Sequence, residues 1–419
     1  MENKFQNHNI INSNSSVFIA TFAHFENGQR MRNNGMIESL LSFFVPQIKS
    51  VHMVVQPHPG SDRVSPEVEL YENSNLQNKF TLHPIFYLPV YLLCVLPSKR
   101  KIRLSYKIRD VLSVLLVAFG QRKQHDLFIG LEAVNVLAGM VLRKLGIVKK
   151  IIYYVSDYSP TRFQNKWFNS FYVLLDRFAL LHADYTWDVS PAMIRGRIEA
   201  GLAPSEAYRA IHVPNGLFPF QIQSLPIGER NRYDLVYMGI LEPDMGPDLA
   251  IRSLREVRKK YPKARLHMIG GPKKDLEDMK CLTARLKLEN AVIFYGFVPD
   301  DARMAEIIRN CYIGLAPYRA FPHSKRWYGD AGKIRQYIAS GLPVVATNVP
   351  PLGKYIVEKG AGIMTEDTVE SFSDGIVKLL SDDRLYKELS VAAEKISRDN
   401  TWENAYSKAF RDMERMDRA

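Results

Sequence analysis

Short apolar segments alternate with amphipathic segments between Tyr233 and Pro351, and this alternation constrains the fold more than any other feature of the chain. Each apolar segment has the length of a strand, and each is followed by a turn and a stretch long enough for a helix of about 10–15 residues. Strands joined by helices form a parallel sheet that is covered on both faces. Such a sheet binds ligands at the carboxyl ends of its strands. The predicted strands are 233–239, 265–272, 291–298, 313–318 and 342–347.

The first half of the chain carries the same alternation in a less regular form. With 419 residues, the chain is too long for one hydrophobic core, and two domains of about 200 residues each are expected. The sequence therefore predicts two α/β domains. The predicted strands of the first are 17–22, 51–55, 126–130, 150–157 and 185–190.

The segment from Lys333 to Thr347 reads KIRQYIASGLPVVAT. It resembles the K-x-x-E-Y-x-A-x-G-x-P-V-V-A-T donor signature of family 4 glycosyltransferases, with Gln336 in the acidic position. Residues 213–216 are similar to the family's hinge motif, and residues 401–403 are similar to the start of its closing helix. The resemblance covers roughly residues 17–410. It implies a retaining enzyme of the GT-B fold, in which two Rossmann-like domains with parallel sheets face a central cleft.

The resemblance also implies a division of the chain into four parts. Residues 1–16 are polar and rich in Asn, and we expect a flexible tail that is not a secretory signal. Residues 17–218 would form the acceptor domain, and residues 219–400 would form the nucleotide-sugar domain. Residues 401–419 would form a helix that crosses back to the first domain.

The donor diphosphate would need backbone amides and positive charge. A helix that begins at Gly332 and Lys333 offers both, and Lys333 is the strongest candidate for a phosphate contact; the alternative is a solvated lysine. The resemblance also implies that three glycines lie near the donor. One of them, Gly28, is the single glycine of a loop in which the family often has two. These glycines are Gly28, Gly239 and Gly271.

The chain departs from the family at several donor positions. Ile240 replaces the usual arginine and Met245 the usual lysine, so neither can neutralise a diphosphate. His323, Lys325 and Arg326 could supply charge from another loop, unless that loop is simply solvated.

The family's paired glutamates fall on Tyr328 and Gln336. Gln336 could contact the ribose through its amide oxygen, and Asp330 could replace Tyr328 as the sugar contact. The turn at Phe297 and Val298 resembles the one that meets the nucleobase.

On the acceptor side, Ser156-Asp157 resembles the family's His-Asp pair. Asp157 could orient the acceptor or take its proton, and the alternative is an N-cap for the turn at residues 158–160. His24 is a second candidate for catalysis, although a lone histidine near a strand end is often a packed one.

The composition of the chain limits the classes of molecule that the protein could bind. A formal net charge of +12 favours an anionic partner, such as a nucleotide diphosphate or an acidic lipid. The sequence lacks nucleic-acid-binding motifs, so no nucleic acid partner is expected. The three cysteines are too scattered for a disulfide framework or a metal cluster, which suits the cytoplasm. We expect an enzyme that requires no metal and no cofactor beyond its nucleotide sugar.

One region favours a membrane contact. Residues 85–97 are apolar, but they are too few to span a bilayer, and a cluster of Lys and Arg follows between Lys99 and Arg109. Apolar residues beside cations are typical of an interfacial contact with anionic lipid, so residues 85–117 predict a peripheral contact at the inner face of the membrane. The alternative is a buried helix pair with a solvated basic turn.

Three functions fit these features. The leading hypothesis is a retaining glycosyltransferase that uses a nucleotide diphosphate sugar and a glycan or lipid-linked acceptor. The second is a non-catalytic GT-B protein that binds a glycan or a partner, suggested by the altered donor positions. The third, a nucleotide-sugar epimerase, is disfavoured because the sequence offers no ionisable cluster for it.

Overall fold

The computed structural model describes residues 10–31, 35–95, 103–271 and 273–418. The chain forms two compact units. Unit 1 comprises residues 1–189, 193–214 and 405–419, and unit 2 comprises residues 190–192 and 215–404. Each is described by itself.

Unit 1 is built on an eight-stranded sheet in the order β10-β9-β8-β7-β1-β4-β5-β6. The six strands from β10 to β4 are parallel, as the sequence predicts, and a separate two-stranded hairpin joins β2 to β3. The strands are β1 Ser16–Ala23, β2 Phe25–Glu26, β3 Gln29–Arg30, β4 Ser50–Pro57, β5 Glu67–Glu72, β6 Asn75–Thr81, β7 His125–Leu131, β8 Val148–Val155, β9 Tyr185–Asp188 and β10 Ala210–His212.

Helices cover this sheet on both faces, and two neighbouring residues of β8 show it. The Tyr153 hydroxyl donates to Asp176 of α5 (2.7 Å), whereas the Tyr154 ring packs on Tyr406 of α14. Adjacent residues of a strand point to opposite faces, so α5 and α14 lie on opposite sides. The helices are α1 Met36–Phe44, α2 Leu88–Val95, α3 Arg103–Gln121, α4 Ala133–Lys144, α5 Lys166–His182, α6 Ala192–Glu199 and α14 Trp402–Arg418.

The expectation of a purely parallel sheet is wrong at one edge of unit 1. Strands β5 and β6 are antiparallel to their neighbours and form a hairpin, with Asn73 and Ser74 in the left-handed region at its turn. The sequence analysis missed this hairpin because β6 is almost entirely exposed and polar, so it lacks the apolar pattern of a buried strand.

Unit 2 contains a six-stranded, fully parallel sheet in the order β13-β12-β11-β14-β15-β16. The five strands predicted for this region are confirmed, and β16 is an addition. The elements are β11 Asp234–Met238, α7 Pro247–Lys260, β12 Arg265–Ile269, α8 Lys273–Arg285, β13 Val292–Gly296, α9 Asp301–Asn310, β14 Ile313–Ala316, α10 Gly332–Ala339, β15 Val344–Thr347, α11 Pro351–Glu358, β16 Gly362–Thr365, α12 Val369–Ser381 and α13 Asp383–Asp399.

The two ends of the chain pack within unit 1 over the described residues. Residues 1–9 of the expected tail lie outside the described part, but Ile11 is buried and β1 already begins at Ser16. At the other end, Tyr406 of α14 shares a hydrogen bond with Ser39 of α1 (2.8 Å), and Phe410 stacks on Phe43. Apolar contacts therefore extend the ordered structure further towards the N-terminus than the polar composition indicates.

Two buried histidines make the stability of unit 1 depend on pH. His52 and His125 lie 4.7 Å apart between ring centroids, and Ser16 shares a hydrogen bond with His125 Nδ1 (2.7 Å). Burial, followed by the charge of Lys123, lowers the pKa of His52 to about 4. Burial, followed by the neighbouring His52, lowers the pKa of His125 to about 3. Both rings are therefore neutral in the folded protein at pH 7.

We expect unit 1 to lose stability as the pH falls below about 6.5. Below this pH the two histidines of the unfolded chain bind protons, whereas the buried histidines of the folded protein stay neutral. The loss by pH 5 is about 2 kcal/mol for each histidine, or roughly 4 kcal/mol for the two together. Urea unfolding at pH 7 and pH 5 measures it. His125→Phe keeps an aromatic ring against Phe18 and should reduce the difference in the free energy of unfolding between the two pH values. An unchanged pH dependence in this variant would contradict the role of His125.

Candidate functional site

Glycines stand at the carboxyl ends of three neighbouring strands of unit 2. Gly239 follows β11, Gly270 follows β12 and Gly296 ends β13, and all three have a positive φ. A Cβ on Gly270 would lie 1.8 Å from the carbonyl oxygen of Gly239. Gly270 therefore allows the ends of β11 and β12 to pack closely, whereas open space surrounds the Cβ position of Gly296. The N–H of Gly239 donates to Ile269 O (2.9 Å), and the predicted place of Gly239 near the donor stays a prediction.

Replacing Gly270 with alanine should therefore destabilise unit 2 by about 2 kcal/mol, because the methyl group meets backbone and the φ of 148° disfavours a side chain. Thermal or urea unfolding measures the loss. Gly360→Ala is the matched control: this glycine also has a positive φ, but open space lies around it, so the smaller loss there reports backbone strain alone. Equal losses in the two variants would contradict the close-packing role.

Lys333 lies at the point where the strand order of unit 2 reverses. The chain runs from β11 outward to β13, returns to β14 on the other side of β11, and continues to β16. Lys333 belongs to the first turn of α10, and its Nζ lies 3.9 Å from the ring centroid of Tyr237 in β11 and 4.7 Å from that of Tyr318 after β14. The ammonium therefore bridges the two strands at the switch point, where open α/β sheets bind ligands.

The amine of Lys333 is buried without a hydrogen-bond acceptor among the described residues. The residue is 4% exposed, and its Nζ has no partner there. Burial, followed by the charge of Arg326, holds the pKa of Lys333 well below its usual value. A buried unpaired cation is costly, and the two ring faces compensate only in part. An anion at this position would satisfy the amine.

Tyr337 fixes the helix that carries Lys333. Its hydroxyl donates to Leu315 O of β14 (3.1 Å) and accepts from the Met238 N–H of β11 (2.8 Å). Its ring lies so close to Gly314 that a Cβ there would sit 2.4 Å from it. The sequence analysis predicted the helix start at Gly332, and the structure confirms this start; Gly332 itself is exposed.

Arg326 can supply only part of the positive charge that is missing at Ile240 and Met245. Arg326 Nε lies 3.1 Å from Asp244, and Nη2 lies 2.9 Å from Glu242. Both carboxylates belong to the loop after β11, which also carries the exposed Ile240 and the buried Met245. A guanidinium held by two carboxylates offers little net charge to a phosphate. Lys325 is exposed and remains a candidate.

The prediction that Asp330 contacts the sugar is wrong for this structure. Arg335 holds Asp330 with two nitrogens (3.0–3.1 Å), and the Asn215 N–H donates to the same carboxylate (3.1 Å). Both side chains of the pair are buried, so this ion pair is part of the interior of unit 2. Sequence reasoning missed Arg335 because nothing in its spacing separates an ion-pair partner from a solvated arginine.

The remaining donor candidates lie near the same edge of the sheet. Gln336 follows Lys333 on α10 and is half-buried. Phe297 stands immediately after β13 and is 71% exposed, whereas Val298 packs against the core of unit 2. Gly271 follows Gly270 after β12 and is half-buried. The roles of these residues towards a ribose, a base or a phosphate stay predictions.

In unit 1, the acceptor candidates lie at the carboxyl ends of neighbouring strands. His24 follows β1 and Asp157 comes two residues after β8, while β7 lies between these strands. His24 is half-buried, and its Nδ1 lies 3.5 Å from Ser61 Oγ. Asp157 is not a helix N-cap, because α5 begins later with Asn165 as its cap. The alternative for Asp157 is therefore wrong, and its catalytic role stays a prediction.

The structure adds two residues to this edge that the sequence analysis missed. Glu132 follows β7 with φ 69° and ψ 148°, a conformation that is strained for any residue other than glycine. Arg162 lies 3.6 Å from Glu132 and 3.8 Å from the Asp157 carboxylate, and it donates to Asp157 O (2.7 Å). Strain of this kind concentrates at functional sites. No sequence pattern signals it, because only tertiary packing imposes the backbone angle.

Gly28 does not form the predicted phosphate loop. It lies with Asn27 in the turn of the β2–β3 hairpin, and both residues have positive φ. Asn-Gly is the sequence that this turn type favours. The Gly28 N–H already donates to Asp62 (2.7 Å), so a phosphate would have to displace a carboxylate.

Within the four described ranges, no group of three or more His, Cys, Asp or Glu side chains could hold a metal ion. Independence from metals and cofactors stays a prediction.

Residues 232–382 match the family described as "Glycosyl transferases group 1". A D-inositol 3-phosphate glycosyltransferase of Acidothermus cellulolyticus is 29% identical over 178 residues, which are 41% of this chain and 38% of that protein. A GDP-mannose-dependent alpha-(1-6)-phosphatidylinositol monomannoside mannosyltransferase of Mycolicibacterium smegmatis is 26% identical over 221 residues, which are 49% of this chain and 56% of that protein. The chain thus spans only part of the length of these relatives.

The fold is also similar to that of solved structures. Anabaena HepE in complex with UDP superposes with a TM-score of 0.64 at 14% identity, over 94% of this chain and 98% of that one. The predicted resemblance to family 4 and the GT-B fold is confirmed. Residues 232–382 of unit 2 are thus similar to the group 1 glycosyl transferases, and the chain has the GT-B fold of two Rossmann-like units.

Proposed function

We propose that this protein transfers a sugar, with retention of configuration, from a nucleotide diphosphate sugar to a glycan or lipid-linked saccharide. The observation that carries the proposal is the buried Nζ of Lys333 at the switch point of the unit 2 sheet, which has no hydrogen-bond partner in the part of the chain that the structure describes. A diphosphate is the anion that a group 1 glycosyltransferase domain would place there. HepE, whose fold is similar, is described in complex with UDP, which supports a nucleotide ligand.

The chemistry follows from the charge that develops during transfer. The bond between the anomeric carbon and the diphosphate oxygen breaks, and the acceptor hydroxyl oxygen forms the new bond. The acceptor proton leaves with the diphosphate or passes to a base, for which Asp157 and His24 are the candidates. Lys333 would stabilise the leaving diphosphate, because a cation in a dry site acts strongly on developing negative charge. Arg162 would hold Asp157 and Glu132 in position.

The name of one relative supports the acceptor class. The mannosyltransferase of Mycolicibacterium smegmatis is named for a phosphatidylinositol mannoside, which is a lipid-linked saccharide. We propose an acceptor of this chemical class, or a glycan, in cell-surface polysaccharide or glycoconjugate synthesis.

A peripheral contact with the inner face of the membrane is part of the proposal. Among the described helices, none combines the length and the apolar character that crossing a bilayer requires. Ile85 and Phe86 before α2 and Leu92 and Leu93 within it are all exposed, which favours a surface contact over a buried helix pair. Residues 96–102, which include much of the basic cluster, lie outside the described residues. Exposed apolar side chains beside this cluster support an interfacial contact.

The direct test is nucleotide release from a panel of UDP-, GDP- and ADP-sugars, measured with and without glycan and lipid-linked acceptors. We expect one donor to react and the anomeric signal of the product to match that of the donor. The same donor, present at 100 times its Kd, should stabilise the protein by about 2.7 kcal/mol. Release of nucleotide with inversion would refute retention, and stabilisation without transfer would refute catalysis.

A second function, a non-catalytic binding protein, is favoured by one observation. Arg326 is neutralised by Glu242 and Asp244, and the positions of the usual donor cations are occupied by Ile240 and Met245. A site with so little net charge binds a diphosphate less strongly than the family pattern implies. This alternative predicts binding of a glycan without donor-dependent stabilisation.

A further inference from the structure

Four helices of unit 1 form one layer on one face of its sheet. Helix α2 packs on α3, α3 packs on α4, and α4 packs on α5. Helix α3 also contacts β4, and α4 contacts β7 and β8. Helix α14, which packs with α1, lies on the other face, as the contacts of Tyr153 and Tyr154 show. We name the four helices the α2–α5 layer.

Helix α5 exposes a row of large apolar side chains on the outside of this layer. Its members recur every three or four residues, which places them along one face of the helix. Trp167 is 87% exposed, Phe171 is 55% exposed and Leu174 is 64% exposed. At about 150–250 Å² for each aromatic side chain, Trp167 and Phe171 alone expose roughly 300 Å². The full row is therefore comparable with the largest apolar patch of a typical monomer, about 300–600 Å², which is often functional. The row consists of Trp167, Phe171, Leu174, Phe178 and Leu181.

The same layer carries almost no negative charge. Its four helices contain just two carboxylates, Asp110 and Asp176, and both are buried in ion pairs with Arg109 and Arg197. Exposed lysines flank the apolar row: Lys166 precedes Trp167, and Lys144 precedes the exposed Leu145 at the end of α4. By contrast, α14 on the other face carries several acidic residues. The lack of exposed negative charge is therefore a property of the whole α2–α5 layer, whereas the apolar row lies on α5 alone.

We propose that the outer face of α5 docks on an anionic lipid bilayer and inserts the row from Trp167 to Leu181 into the headgroup region. An interfacial helix combines an aromatic and aliphatic face with flanking lysines, and an anionic surface attracts those cations. A second copy of the chain is a poorer occupant, because it would bring two faces with the same positive charge together. This inference deepens the proposed membrane contact, which involves α2, α3 and the basic cluster between them.

The contact would orient unit 1 on the bilayer through two separate parts of the layer. Helix α2 forms one part and α5 forms the other, with α3 and α4 between them. A peripheral protein held at two points keeps one orientation towards the surface, whereas a protein held at one point can tilt. A lipid-linked acceptor would then meet the carboxyl edge of the sheet in a fixed direction.

Flotation with phosphatidylcholine vesicles, with and without 30% phosphatidylglycerol, tests the proposal. We expect the full chain to float with the anionic vesicles and W167S/F171S to partition at least 10-fold more weakly. Phe220→Ser is the matched control, because Phe220 is similarly exposed but lies in unit 2. Because all three side chains are exposed, the variants should fold, and donor-induced stabilisation should persist in each.

The outcomes separate the two membrane proposals. If W167S/F171S floats like the parent chain while replacement of Lys99, Arg100 and Lys101 with serine abolishes flotation, α5 is not a docking element. If the parent chain floats with neither vesicle, both proposals fail, while donor binding is judged separately from its own stabilisation. If sedimentation shows a dimer that W167S/F171S dissociates, a second copy covers α5 and the proposal is overturned.

Discussion

Replacing Lys333 with methionine should lower kcat/KM for the nucleotide sugar by about 100- to 1000-fold, the typical effect of removing one group that stabilises developing negative charge in a dry site. The substitution should leave the free energy of unfolding unchanged or raise it. Methionine has a similar length and suits the space between Tyr237 and Tyr318, and it removes a buried amine that has no hydrogen-bond acceptor in the described structure. Opposite signs for activity and stability distinguish a ligand-binding lysine from a structural one.

Proton uptake provides a second measurement on the same residue. Because burial and Arg326 lower the pKa of Lys333, binding of a diphosphate should raise that pKa and draw up to about one proton from solution. Calorimetry of UDP binding in two buffers with different ionisation enthalpies reports the uptake. We expect none in Lys333→Met. A destabilised Lys333→Met with normal activity would remove this lysine from the donor site.

Replacing Arg197 with methionine should destabilise unit 1 by about 3–5 kcal/mol, because it leaves two buried carboxylates without their cation. Arg197 donates from Nε to Asp176 (2.8 Å) and from Nη1 to Asp188 (2.6 Å), and its guanidinium lies 4.7 Å from the centroid of the Tyr158 ring. All three charged side chains are almost completely buried. The group ties α5 and α6 to the end of β9.

Thermal unfolding should show a Tm lower by about 10 °C for the transition of unit 1. The control is the triple variant that combines Arg197→Met with Asp176→Asn and Asp188→Asn. Because it removes the uncompensated charges as well, it should recover part of the lost stability. A triple variant that is less stable than Arg197→Met would show that hydrogen bonding, not charge, dominates at this position.

The carboxyl edge of the unit 2 sheet shows how much of the candidate donor site could be predicted from the sequence. Helix α10 and the strands around it were predictable, because apolar segments, turns and a helix start at Gly332 are local features. Lys333 was predictable from the resemblance, but its burial between two tyrosine rings was not. Those rings come from β11 and from the residues after β14, far apart in the chain, and only the sheet order brings them together.

Asp330, Arg326 and Gly28 show where sequence reasoning fails. Each residue type suits the predicted role, yet each already has a partner in the structure. Asn215, Glu242, Asp244 and Asp62 are distant in sequence from the residues that they contact, and Arg335 lies five residues from Asp330. An ion pair depends on distance in space, so a charged residue that is free to bind a ligand cannot be told from a paired one in the sequence.

The sequence by itself determined the class of fold, the number of units and the family resemblance, because apolar periodicity and motif order are properties of the chain. The tertiary structure decided which polar groups remain free. It left the amine of Lys333 without a hydrogen-bond acceptor among the described residues, strained Glu132 beside Arg162, and exposed the apolar row of α5. The physical reason is that burial, strain and pairing arise between segments that meet only after the sheets form.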